Sequence, residues 1–184
     1  MLLFFIKTKS QIIDMQLNGF LSKLPRPIRL FIGAFVIVLS VGYYTGLSFV
    51  AETSSLNIHG ISENYLGNEE DEDAEIMKFK KTKREILTIM HTHILSMSFI
   101  FFLLGGLVWL TKIPKTIKIF LTVEPFLSVL LTFGGIYFLW LGIDWVKYLI
   151  MLSGILMTFT FSTSALIVLF QITFSGNNQS LLNQ

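Results

Sequence analysis

The chain of 184 residues is 53% hydrophobic and only 14% charged, with a net charge of +2 and a mean hydropathy of +0.68. Soluble domains carry about 25% charge, so an ordinary water-soluble fold is excluded, and so small a net charge gives no footing for nucleic acid. The absence of cysteine removes disulfides, iron–sulfur clusters, c-type haem attachment and thiolate zinc sites.

The opening stretch, MLLFFIKTKSQIIDMQLNGFLSKLPRPIRL, has six apolar residues first and its charges afterwards, the reverse of a secretory leader. Ile13, Leu17, Phe20, Leu21 and Leu24 recur at helical spacing, with Lys9, Asp14, Asn18 and Lys23 elsewhere on the wheel. This predicts an amphipathic helix lying in the membrane interface over residues 1–26, ended by Pro25 and Pro27.

Four apolar runs follow, at 27–51, 87–110, 119–141 and 146–174. Each supplies the roughly 20 residues that a helix needs to cross a hydrocarbon core of about 30 Å. Trp109, Trp140 and Trp145 stand at run ends, where indole favours the headgroup region. The first run carries Gly42 and Gly46 at the spacing that admits a close neighbouring helix, read here as ordinary packing.

Residues 52–86 form the one sizeable loop. Its first half, TSSLNIHGISENYLGN, is rich in turn formers; its second, EEDEDAEIMKFKKTKREIL, reads as helix capped by Asn68, with acidic residues in its first turn. Ile76, Phe79, Lys83, Ile86, Met90, His93 and Met97 continue one stripe. The stripe predicts one long helix over 70–110 that projects from the bilayer, its outer part a solvated face or a surface for a partner or lipid headgroups.

The connections TKIPKTIK and GIDWVK are short enough to make successive crossings antiparallel neighbours. The predicted fold is all-α, an integral membrane four-helix bundle, followed by a polar, frayed tail at 175–184. Outside the runs there is no room for a separate catalytic domain, and no phosphate-binding loop or nucleophile elbow occurs; catalysis by the chain alone is not expected. An N-inside arrangement places Lys7, Lys9, Lys23, Arg26, Arg29, Lys112, Lys115 and Lys118 on the cytoplasmic side, against Lys78, Lys80, Lys81, Lys83, Arg84 and Lys147 outside. The positive-inside rule therefore favours a cytoplasmic N-terminus.

Antiparallel packing brings four polar groups to one level: His91 and His93 near the start of the second crossing, Glu52 at the end of the first, and Asp144 between the third and fourth. Met151 lies about one turn into the fourth crossing, and His59 stands in the loop above. Imidazole and carboxylate are the ligands available without cysteine, so this layer is a candidate haem, quinone or proton site. It competes with ordinary hydrogen bonding of the histidines to neighbours. Residues two apart on a helix point about 200° from one another, so His91 and His93 cannot both ligate one ion from an unbroken helix. No other crossing contains histidine, which leaves haem b only His with Met151 or another Met, His59, or two chains sharing it.

Glu124, followed by Pro125, is the one carboxylate inside the four runs. It either snorkels to Lys112, Lys115 or Lys118 or serves proton transfer or headgroup recognition. In the fourth run Gly154, Thr158 and Ser162 form a small-residue stripe, with hydroxyls expected to bond back to the helix's own carbonyls.

The segment HTHILSMSFIFFLLGG resembles the H-x-H-L opening of several bacterial respiratory-type membrane proteins, in which a histidine pair near a helix start is associated with haem. It is also similar to uncharacterised four-helix proteins of bacterial inner membranes that have such a stretch and a hydroxyl-rich last helix. The resemblance implies a redox or cofactor-related role for His91 and His93. The resulting expectation is a small subunit or accessory protein of a respiratory assembly in a bacterial cytoplasmic membrane, touching lipid and either other membrane subunits or further copies of itself. The alternatives are a non-redox assembly protein and a proton-coupled permeation protein using Glu124 and the histidines.

Overall fold

The computed structural model describes residues 17–69, 71 and 76–174, and among these it contains helices and no strands. The helices are α1 (Phe20–Lys23), α2 (Arg26–Ser54), α3 (Ile58–Leu66), α4 (Lys83–Trp109), α5 (Lys115–Trp140) and α6 (Val146–Phe174). By length and hydropathy α2, α4, α5 and α6 can each cross a bilayer. The all-α membrane architecture is as the apolar runs require, since lipid leaves no water to satisfy an open backbone.

The tightest contact is between α5 and α6. The α5 helix ends in a Schellman turn: Ile143 N–H donates to the Phe138 carbonyl at 3.1 Å and Gly142 N–H to that of Leu139 at 2.9 Å. The turn requires a left-handed residue, supplied by Gly142 at φ 96°. The chain then reverses into α6 within a few residues. Gly135 lets the two helices close, because a Cβ there would stand 2.8 Å from Ile150 Cγ1 and 3.2 Å from Val146 Cγ1.

The α4 helix packs most deeply against this pair through its C-terminal half, while Ile89, Met90, Ile94 and Met97 are half-buried against the core and His93 rests on Phe133. Phe101, Leu104, Gly105 and Val108 are buried, but between Ile86 and Phe101 no residue of α4 is. The α2 helix is peripheral too, with Ile32, Gly33, Val36 and Ser54 its buried residues. It lies along α6, and its Phe31, Val38 and Phe49 are left to face lipid. Gly42 and Gly46 have nothing within 4 Å of where a Cβ would be, so no helix of this chain uses that close-approach spacing.

Two expectations are corrected. The second half of the loop is not an outward extension of α4. Thr82 caps α4 by accepting from Glu85 N–H, while the Glu85 carboxylate accepts from Thr82 N–H at 2.7 Å, a capping box that starts the helix at Lys83. The described residues 76–82 before it are non-helical, residues 70 and 72–75 of the expected helix lying outside the described ones, and Asn68 accepts from Lys78 N–H through Oδ1 at 2.6 Å and donates to the Ile76 carbonyl at 3.0 Å. Ile76 and Phe79 of the supposed stripe are each 71% exposed. The loop's first half contains α3, capped by the Asn57 side chain, lying across the ends of α2, α5 and α6.

The interfacial helix expected over 1–26 falls mostly outside the described residues. Its described part has one helical turn, α1, in which Leu21 is fully buried. Gly19 and Leu21 N–H groups donate to the carbonyls of Thr111 and Leu110, fixing α1 beneath the α4–α5 connection. At that same end Gln171 clamps Lys112, accepting from its N–H at 2.7 Å and donating to its carbonyl at 3.3 Å, and Arg29 donates to the Ile172 carbonyl at 3.2 Å. At the opposite end Trp140 Nε1 donates to the Lys81 carbonyl at 2.8 Å, with Lys80 over its ring.

Overpacking a closed contact costs about 1–3 kcal/mol. Gly135→Ala is therefore expected to lower the thermal midpoint of the detergent-solubilised protein, while Gly134→Ala, where a Cβ meets nothing within 4 Å, leaves it unchanged or higher. In α3, burial pushes the Tyr65 hydroxyl up from 10.0 to about 12, against a smaller opposing effect of its hydrogen bond to Asn64. The folded state thus favours neutral Tyr65: its contribution is complete below 10.0 and is lost as pH rises toward about 12. Alkaline spectrophotometric titration is expected to show a late phenolate step that Tyr65→Phe removes.

Candidate functional site

Inside the bundle the polar side chains form a ladder of hydroxyl pairs between helices. On α6 most hydroxyls first donate to their own helix: Ser153 to Leu149, Thr158 to Gly154 and Ser162 to Thr158, at 2.6–2.9 Å. Their protons are thereby committed, and each oxygen accepts from a neighbouring helix. Tyr43 of α2 donates to Thr158 at 3.2 Å, Tyr44 of α2 to Ser162 at 2.8 Å, and Thr132 of α5 to Ser153 at 2.7 Å. The stripe of Gly154, Thr158 and Ser162 is thus the face that receives the two tyrosines of α2. Between the pairs, Phe161 is fully buried, stacked on Tyr43 with centroids 3.8 Å apart and planes 6° from parallel, and met edge-on by Phe101 of α4.

Glu124 belongs to this interior. Its Oε1 accepts from the Ser128 hydroxyl one turn on, and Ser128 is itself buried. Its Oε2 is buried with no hydrogen-bond partner. It lies within electrostatic range of Tyr43. Of the lysines toward that end of α5, Lys118 donates through Nζ to the Trp109 carbonyl at 2.8 Å and to Asn18 at 3.2 Å.

The histidines stand on the outer side. His93 Nδ1 is 2.8 Å from the Ile89 carbonyl, and its ring lies on Phe133 of α5 with centroids 4.8 Å apart. A carbonyl only accepts, so Nδ1 carries the proton of neutral His93 and Nε2 presents a lone pair. His91, exposed, shares a shallow groove with Lys83, Arg84, Leu87 and Thr88. One imidazole is therefore oriented and the other sits in a basic surface strip, as their angular separation requires. The chain has Ile94 between His93 and Leu95, one residue more than the H-x-H-L spacing of the proteins it resembles.

The remaining members of the supposed layer have separate surroundings. Asp144 pairs with Lys147 at 2.7 Å, Glu52 is exposed at the end of α2, and Met151 is half-buried against the core. His59 pairs with Glu63 on α3 at 3.0 Å and is 80% exposed. Among the described residues no three histidines or carboxylates are grouped so as to hold a metal ion. The glutamate's hydroxyl partner was readable from the spacing of Glu124 and Ser128, whereas Phe133 beneath His93 had no signal in the sequence.

Residues 55–179 match a family described as Aq_1264_TM, a transmembrane helical domain. The chain belongs to this family. No curated protein and no solved structure matches it. The matched stretch begins just after α2 and takes in α3 through α6, so the family's domain is the α4–α5–α6 core with its α3 cover. The peripheral packing of α2 agrees with that boundary. The protein is a membrane protein with several spanning helices, in contact with lipid.

Interhelical hydrogen bonds in membranes average about 0.6 kcal/mol, with a maximum near 1.7. A double-mutant cycle of Tyr43→Phe and Thr158→Val, read by unfolding in mixed micelles, is expected to give coupling in that range. Coupling of zero would mean that Tyr43 holds α2 through its stacking on Phe161 and not through its hydrogen bond.

Proposed function

We propose that the chain is a small subunit or accessory protein of a larger assembly in a bacterial cytoplasmic membrane, with its N-terminus cytoplasmic. The observation that supports this reading is the lightly covered N-terminal half of α4, where Ile89, Met90, Ile94 and Met97 are only half-buried. From Leu87 to Ile100 the helix buries no residue, yet it carries two histidines at membrane depth. Polar residues so placed ordinarily meet a partner or serve a task, and here the surface around them is left for another chain.

Within that reading, His93 is the residue suited to a redox group. Its Nδ1 is engaged by a backbone carbonyl and its ring is steadied by Phe133, the arrangement that fixes tautomer and direction in ligating histidines. Nε2 would ligate the iron of a haem b or accept a proton from a quinol. A second ligand to the iron would come from Met151 or from another chain. The same surface serves a non-redox assembly role equally well in its packing, and a spectrum separates the two.

Membranes solubilised in mild detergent and run on a native gel are expected to carry the 21.0 kDa chain in a larger complex. A reduced-minus-oxidised spectrum of that complex should show a haem band or a quinone signal lost in His93→Ala and kept in His91→Ala. Migration as a lone chain would defeat the subunit reading. A silent spectrum in an intact complex would remove only its redox form.

A further inference from the structure

We propose that Glu124 is a proton-binding site: it takes up and releases a proton inside the bilayer, at the hydroxyl-lined seam between α2, α5 and α6. This goes beyond the subunit reading and does not depend on the histidines.

The carboxyl group is placed about 14 Å along α5 from Lys115, at 1.5 Å per residue, well within the span. One oxygen is held by Ser128 and the other is buried without a partner. An ionised carboxylate has several lone pairs to satisfy, and a buried one left unpaired is costly. A proton changes the balance. Addition of H⁺ to Oε2 turns the unsatisfied acceptor into an O–H donor, while Oε1 still accepts from Ser128.

The local backbone is also short of a donor. Pro125 lies inside α5 and has no N–H, so the Leu121 carbonyl one turn back lacks its helical donor. A neutral carboxylic acid adds a donor to this stretch, whereas a carboxylate adds only acceptors. Glu124, Pro125 and Ser128 stand within two turns of one helix.

The neighbouring helices bring hydroxyls and little charge. From α2 the ionisable group within electrostatic range is Tyr43. From α6 comes Thr158, which is hydrogen-bonded to Tyr43 and does not titrate, and α4 approaches this part of α5 with Gly105 against Thr122. On α5 itself Lys118 is turned toward Trp109 and Asn18. Exchange with water is shortest toward the α5 N-terminal end, the end where Lys118 lies.

The test uses dicyclohexylcarbodiimide, an apolar reagent that adds to the protonated form of membrane-embedded carboxyls, on the full-length protein in liposomes. Peptide mass spectrometry is expected to place one adduct on Glu124, its yield falling steadily as the buffer is taken from acid to alkaline. Infrared difference spectra across the same change should show a carboxylic acid carbonyl band that Glu124→Gln abolishes and Ser128→Ala shifts. If Glu124→Gln does not fold, the wild-type labelling curve and the Ser128→Ala band shift still decide. A Glu124 peptide that stays unlabelled in folded protein, labelling that ignores pH, or a band that Ser128→Ala leaves in place would each overturn the proposal.

Discussion

The close contact of α5 with α6 is the constraint on which the rest of the structure depends. It needs a turn that reverses the chain in a few residues and a surface smooth enough for two backbones to meet, and glycine provides both, at Gly142 and Gly135. In lipid the apolar side chains gain nothing from leaving water, so helices associate through packing and hydrogen bonds. Once this pair is formed, α6 presents its row of back-bonded hydroxyls on a second face. That face can then receive α2, and the C-terminal half of α4 fills the remaining side with Phe101, Leu104 and Val108.

The same economy explains where polarity is tolerated. Ser153, Thr158 and Ser162 of α6 commit their protons to their own helix and offer their oxygens to another, so the tyrosines of α2 and Thr132 of α5 find acceptors. Glu124 is the departure, and it sits where a proline has already weakened the ladder of its own helix. The outward histidines are handled differently. His93 satisfies one nitrogen within its own turn and rests its ring on Phe133.

The sequence carried the membrane spans plainly, because length and hydropathy are local properties and lipid imposes them without regard to tertiary context. It carried the divergence of His91 and His93 as well, since that follows from helix geometry alone. The loop was harder. Thr82-Lys83-Arg84-Glu85 spells a capping box, yet the apolar stripe running through Ile76 and Phe79 argued for continuity, and the box won because it satisfies backbone donors that a stripe cannot. The short α3 was hidden in a turn-rich stretch, where its Asn57 cap looked like one more loop residue. What no pattern could supply was which faces meet: the seating of the tyrosines on Thr158 and Ser162 depends on the rotation of two helices 115 and 118 residues apart.

That separation bears on how the molecule is made. Of the four spans α2 comes first along the chain, and α6, against which it lies, comes fourth. Until α6 is made α2 lacks that neighbour, and its polar side chains suit the wait. Ser40, Thr45 and Ser48 are already bonded to carbonyls of their own helix, whereas Tyr43, Tyr44 and Arg29 take their hydrogen-bond partners from α6. Assembly is then a docking of two preformed parts, a lone strut and a three-span body, and its final step is read out by the tyrosines.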